Sequence, residues 1–278
     1  MGSRLLVVGN LLKVWLLLIA VCAVLGGIGW ALDGYSLFSI FVFSGLLLGA
    51  GMWWYADRAV LGLVRARELP QGEAPGLHST VERLAALAGV AKPRLYVMSD
   101  GLPRACSAGR GPRSSTIAVS KGLLQALPPA ELEGVLAHEL AHIRHRDVFV
   151  QSVAAVIAAV IVEASRIGGW FGRALLFVLG PVAAAFVHLL LSPKREFDAD
   201  RGAAGICGSP HGLAAALIRL DQASELVEFQ GSPVAEPLYT INPFEQKGLA
   251  ALFVTHPPVA ERVRRLRGLD SGEALQAA

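Results

Sequence analysis

Charge is scarce in this chain. Only 17% of its 278 residues are Asp, Glu, Lys or Arg, while 54% are hydrophobic, and the mean hydropathy is positive. An ordinary soluble domain carries about 25% charged residues, so the shortage excludes a simple soluble globule. Cysteine is scarce too: Cys22, Cys106 and Cys207 are odd in number and scattered. They form no metal-spaced pair and no disulfide framework, which fits a reducing compartment for the soluble part. The net charge is only +3 and no aromatic residues are interleaved with a basic patch, so nucleic acid is excluded as a partner. There is no internal repeat and no low-complexity tract.

The hydrophobic surplus is concentrated in runs. Val14–Leu32 is 19 residues without a charge and Tyr35–Ala56 is 22. At 1.5 Å per residue each can cross a hydrocarbon core about 30 Å thick. The first run has Arg4 and Lys13 before it and the small-residue Val21-Cys22-Ala23 within it, the features of a cleaved signal peptide. The run continues past that point and a second follows at once, so two retained helices joined by a turn at Asp33-Gly34 are expected. Val148–Val162 and Ala174–Ser192, of 15 and 19 residues, are shorter or interrupted. They are expected to form a membrane hairpin, the alternative being two buried helices of a soluble domain. Arg4 and Lys13 precede the first span, Arg58, Arg65 and Arg67 follow the second, and only Asp33 lies between. The positive-inside rule places both flanks in the cytoplasm.

Between the two hydrophobic pairs the chain reads as mixed. Leu77–Gly89 has helical spacing and a glycine stop. Pro93–Met98, Ala105–Gly109 and Ser115–Ser120 read as strands. Pro128-Pro129-Ala130-Glu131 opens a long helix, where proline is tolerated. Residues 194–224 are expected to be helical with a break near Gly208-Ser209-Pro210. Residues 228–247 are expected to form a long loop, and Pro257–Leu266 a short amphipathic helix whose arginines face solvent or the membrane.

The long helix carries His138-Glu139-Leu140-Ala141-His142. Positions i and i+4 share a helix face, so His138 and His142 can converge on one tetrahedral zinc. Glu139 stands beside them, placed to accept a proton from water at the metal. A third protein ligand is required. His145 lies seven residues beyond His138, ~10.5 Å along the axis, too far for ligands that must approach within ~2 Å of one ion. A histidine six residues after His142 is absent, since position 148 is Val. Glu196 is the better candidate, with Asp200 one turn on: one carboxylate can bind zinc while the other orients a ligand imidazole. An acidic solvated face is the bland alternative. Two membrane crossings between His142 and Glu196, which lie 54 residues apart, would return the chain to the surface it left.

At this point the chain resembles the HtpX family of membrane zinc metalloproteases, related to the CAAX prenyl endopeptidases. The resemblance spans most of its length: two N-terminal spans, HELAH followed by a basic stretch and Asp147, two further spans, REFDAD at 195–200, and Thr255-His256-Pro257-Pro258 with Arg262. It implies one zinc held by His138, His142 and Glu196, with Glu139 as general base and Asp200 behind a ligand. It also implies a catalytic role for His256 and Arg262, which could stabilise a developing oxyanion; read alone, His256 could equally cap the following helix. Ala105, Cys106, Ser107, Ala108 and Gly109 would form the strand that pairs with substrate backbone. Where many relatives have Asn-Ala before that strand, this chain has Pro103-Arg104, which would alter substrate preference.

The expectation is therefore a mainly helical α+β integral membrane protein with four transmembrane helices and a cytoplasmic zincin-like catalytic domain. Its parts are residues 1–57 (two spans), 58–147 (catalytic segment with HExxH), 148–192 (membrane hairpin) and 193–278 (segment with the third ligand). The resemblance implies a multi-pass protein of the bacterial inner membrane that cleaves misfolded or damaged membrane proteins. Its partners are protein or peptide substrates and the lipid bilayer. The alternatives are a processing protease for lipidated C-termini or a non-catalytic membrane scaffold.

Overall fold

The computed structural model describes residues 2–156, 193–226 and 257–270. It contains two compact units, Met1–Ala56 and Asp57–Ala278.

The first unit holds most of helix α1 (Gly2–Leu63), which leaves helical geometry only at Asp33 and Gly34. This is the expected turn, and Gly34 has φ 63°, a left-handed value that glycine adopts without penalty. The arms on either side of the turn approach closely. A Cβ on Gly29 would collide with the backbone of Leu37, and one on Gly26 with Phe38 and Val42. Many large apolar side chains of this unit point outward, among them Trp15, Ile19, Trp30, Phe43 and Trp54. Ser39 and Ser44 donate their hydroxyls to the carbonyls of Tyr35 and Ile40 one turn back, leaving no polar demand on an apolar surrounding. Among the described residues one stretch, Gly29–Leu63, is long and apolar enough to cross a membrane.

The second unit is a four-stranded sheet with helices packed against it. The strands are β1 (Ala66–Glu68), β2 (Arg94–Met98), β3 (Ala105–Gly111) and β4 (Ser114–Ser120), in the order β1-β2-β4-β3. β2 runs parallel to β4, and the outer pairs are antiparallel. Strand alternation divides the side chains between two faces. Leu95, Val97, Ala105, Ile117 and Val119 enter one apolar cluster, and Met98, Cys106, Ala108 and Ala118 enter another. With both faces covered, these strands lack the polar alternation of a half-exposed sheet.

Among the described residues seven further helices follow in chain order: α2 (Pro75–Ala88), α3 (Lys121–Ala126), α4 (Pro129–His145), α5 (Asp147–Val156), α6 (Lys194–Cys207), α7 (His211–Leu226) and α8 (Val259–Asp270). α4 lies at the centre, packed on α2, β3, α6 and α7, with Val135, Leu136, Leu140 and Ile143 fully buried. The expected strands and the break at 208–210 are present. Strand β1 and helix α3 were not anticipated: β1 is three residues long, and α3 is a single capped turn and a half, with the Ser120 hydroxyl accepting from Leu123 N at 2.9 Å. The greater part of both later spans (157–192), the expected loop 228–247 and His256 lie outside the described residues.

α4 and α7 meet at glycine. A Cβ on Gly134 would lie 2.5 Å from Leu213 N, so any side chain there must force the helices apart. Gly134→Val is expected to destabilise the protein by about 1–3 kcal/mol through overpacking, read as a lowered midpoint in detergent thermal unfolding. An unchanged midpoint would contradict the close approach.

Candidate metal centre

Four helices, and the bend at Arg146 between two of them, build this site. α4 presents His138, Glu139 and His142 from its buried middle, at 0%, 2% and 2% exposure. Glu196 sits in the first turn of α6, where the helix dipole favours a carboxylate, and it is fully buried. The two imidazoles lie edge to face, with their Nε2 atoms 3.1 Å apart. Glu196 Oε2 is 3.5 Å from His138 Nε2, and its Oε1 is 3.5 Å from His142 Nε2. Ligand atoms about 2.0–2.2 Å from a tetrahedral zinc are separated by about 3.3 Å, so this set has the spacing, the nitrogen and oxygen donors and the negative charge that a zinc ion requires.

The far nitrogens of both rings are also held. His138 Nδ1 is 3.0 Å from Asp200 Oδ1, and His142 Nδ1 is 3.2 Å from Asp147 Oδ2. A carboxylate at Nδ1 fixes the tautomer that leaves Nε2 free to ligate. Asp200 is in turn gripped by Arg262 of α8, whose Nε and Nη2 donate at 2.9 and 2.7 Å. Burial alone would raise the Asp200 carboxyl, but the Arg262 charge and hydrogen bonds hold it below its ordinary range. Burial likewise works against a charge on His138. The Asp200 and Glu196 carboxylates outweigh it and raise that imidazole to about 9.

Asp147 escaped sequence reasoning as part of the site, because it lies five residues after His142 and off its helical face. The signal is a helix break. Arg146 adopts a left-handed φ of 62° and caps α4 through its N–H to the His142 and Ile143 carbonyls. The chain therefore turns back, and Asp147 begins α5 alongside His142. Burial would raise its carboxyl, but the His142 contact and the nearby Arg195 charge lower it on balance.

His145 is the last residue of α4 and is not grouped with the ligands. It is 8% exposed, close to the small face of α6 at Gly202, and burial depresses its imidazole. Arg262, which periodicity places on a solvated or membrane-facing face and the family resemblance places at the site, is fully buried beside Asp200, whereas Arg264 and Arg265 are exposed and pair with Glu261. Cys106 and Ala108 of β3 are packed in an apolar cluster. Burial first, and then the charge of Glu139, pushes the Cys106 thiol up, so it remains a protonated packing residue. Among the described residues β3 pairs only with β4 and lies at the sheet edge beside α4. Arg104, which departs from the expected pattern, forms an ion pair with Asp100.

Two histidines one helical turn apart, a glutamate between them and a carboxylate from a second helix define the class: a metallopeptidase site beside an edge strand. The chain belongs to peptidase family M48, whose model matches residues 71–270. It is 40% identical to a "Protease HtpX homolog" of Pelotomaculum thermopropionicum over 94% of this chain and 99% of that protein. It is 36% identical to one of Syntrophobacter fumaroxidans (94% and 100%) and 37% identical to one of Pyrococcus abyssi (93% and 96%). Among solved structures, S. mikatae Ste24p aligns over 94% of this chain and 66% of that one, at 19% identity and a TM-score of 0.47. The protein is a membrane-associated metalloprotease, and its substrates are peptides or proteins.

Ligation requires a neutral imidazole, and His138 holds its proton up to about 9. Loading the site with a divalent cation at pH 7 should therefore release about one proton, and the release should fade as the pH rises above the His138 value. Titration calorimetry in buffers of different ionisation enthalpy counts the protons. Uptake of metal with no proton release at pH 7 would contradict this electrostatic description.

Proposed function

We propose that this protein is a zinc-dependent endopeptidase, with one zinc per chain held by His138, His142 and Glu196. The observation that carries this reading is the convergence of the two Nε2 atoms, 3.1 Å apart, each 3.5 Å from one oxygen of Glu196. When bound, zinc polarises a peptide carbonyl and acidifies water. Glu139, one residue from the first ligand, takes the proton of the attacking water and passes it to the leaving amine. Asp200 and Asp147 hold the two imidazoles in their ligating tautomer. Arg262 secures Asp200, and its Nη1, 3.8 Å from Glu196 Oε2, adds positive charge near the position of a developing oxyanion; His256, six residues before it, is assigned to the same task. An extended substrate lies along β3 at Ala105, Cys106, Ser107, Ala108 and Gly109. The sheet-edge position of the strand supports main-chain pairing, and the buried Cys106 and Ala108 leave recognition to the backbone.

The proposed setting is a multi-pass protein of the bacterial inner membrane. Residues 1–57 supply two spans, and residues 148–192 a membrane hairpin joining the catalytic segments 58–147 and 193–278. The apolar, outward-facing first unit and the positive residues flanking it support four spans with a cytoplasmic active site. A site at the membrane surface suits the removal of misfolded or damaged membrane proteins.

With detergent-purified protein, Glu139→Gln should reduce casein cleavage by about 10²–10⁴-fold while keeping its zinc, and Glu196→Ala should lose the metal. Undiminished cleavage by Glu139→Gln would sink the mechanism. In intact cells, Gly34→Cys should react with a membrane-impermeant maleimide added from outside; labelling only after lysis would reverse the orientation.

A further inference from the structure

We propose that Arg195 is a positioning residue for the His142 half of the metal site, the counterpart of Arg262 on the His138 half. The inference rests on the metallopeptidase reading above. The site is built in two matching halves around Glu196. On one side Asp200 stands behind His138, and Arg262 binds Asp200 and lies 3.8 Å from Glu196 Oε2. On the other side Asp147 stands behind His142, and Arg195 Nη2 lies 3.3 Å from Glu196 Oε1. Each imidazole thus has an aspartate, and each Glu196 oxygen has a guanidinium.

Arg195 is only 9% exposed, yet among the described residues its Nε, Nη1 and Nη2 make no hydrogen bond. A guanidinium is buried at such a cost only against anions, and the anions on this side are Glu196 and Asp147. Both crowd His142. Their mutual repulsion would push Asp147 from behind the ring or swing Glu196 out of the donor triangle. Arg195 opposes that repulsion with a single buried charge. It acts through these two carboxylates and touches no reacting atom.

The role has a definite sign. A positive charge acting on the metal only through space would repel it, so its removal would tighten binding. A residue that orients ligands does the reverse: its loss weakens metal affinity, typically by about 10–100-fold. The test is zinc affinity of the full-length protein in detergent, by chelator competition, alongside thermal unfolding of each variant. Arg195→Gln is expected to bind zinc about 10–100-fold more weakly than wild type. Arg195→Lys keeps the charge without the planar fork and should fall between the two. In an Asp147→Asn background, where the repulsion between the two carboxylates is already relieved, Arg195→Gln should add only a small further loss. Wild-type or tighter zinc binding by Arg195→Gln overturns the proposal, as does an equal loss in both backgrounds. If Arg195→Gln does not unfold cooperatively, Arg195→Lys decides: weaker binding than wild type supports the role and equal binding overturns it. A wild-type protein that takes up no zinc, or Glu196→Ala that binds as well as wild type, fails the metal reading itself and the proposal with it. Failure confined to the Arg195 variants leaves the metal reading standing.

Discussion

A fully buried carboxylate facing two buried imidazoles is the constraint on which this structure depends. Glu196, His138 and His142 have almost no contact with solvent, and an isolated charge in that position would cost several kcal/mol. The chain answers with more charge rather than less. Asp200 and Asp147 orient the rings, and Arg262 and Arg195 offset the carboxylates. None of these groups could be buried alone. Together they form a network that excludes water from the donor atoms while keeping the field negative enough to attract a cation.

The fold follows from that demand. α4 must be central, because it carries three of the buried polar groups, and its apolar face must be covered on several sides at once. The sheet, α2, α6 and α7 supply that cover, with glycine at the α4–α7 crossing where the backbones meet. α6 brings in Glu196, which faces both rings, and Asp200 behind His138; α5 brings Asp147 behind His142, and α8 brings Arg262 onto Asp200. The edge strand β3 lies on the same central helix, and the proposed substrate pairing would bring a peptide to the helix that carries Glu139.

Much of the site was legible in the residue spacing. HELAH on an apolar helix implies two imidazoles on one face, whereas Glu196 with Asp200 one turn apart reads alone as an acidic solvated face and is singled out by the expected return of the chain and by the family resemblance. The strands at 94–98, 105–111 and 114–120 were visible from composition and turns, as was the reversal at Asp33-Gly34. Other features left no such trace. Asp147 reaches His142 only because Arg146 takes a left-handed conformation, which non-glycine residues seldom adopt. The burial of His145 depends on the small face of α6 at Gly202, far away in the chain. Arg262 shares a short helix with exposed arginines, and periodicity alone could not assign it to the interior.

By itself the sequence determined the local chemistry: which residues can ligate a metal, which can move a proton, which segments are too apolar for water, and which spacings put side chains on a common helix face. These depend on covalent neighbours and on the fixed pitch of helix and strand. Tertiary structure alone decided which charges pair. Asp200 with Arg262, Asp147 with His142, and Arg262 beside Glu196 are contacts across turns and separate helices. Their existence depends on burial, because the same charges exposed to water would be screened and free to part.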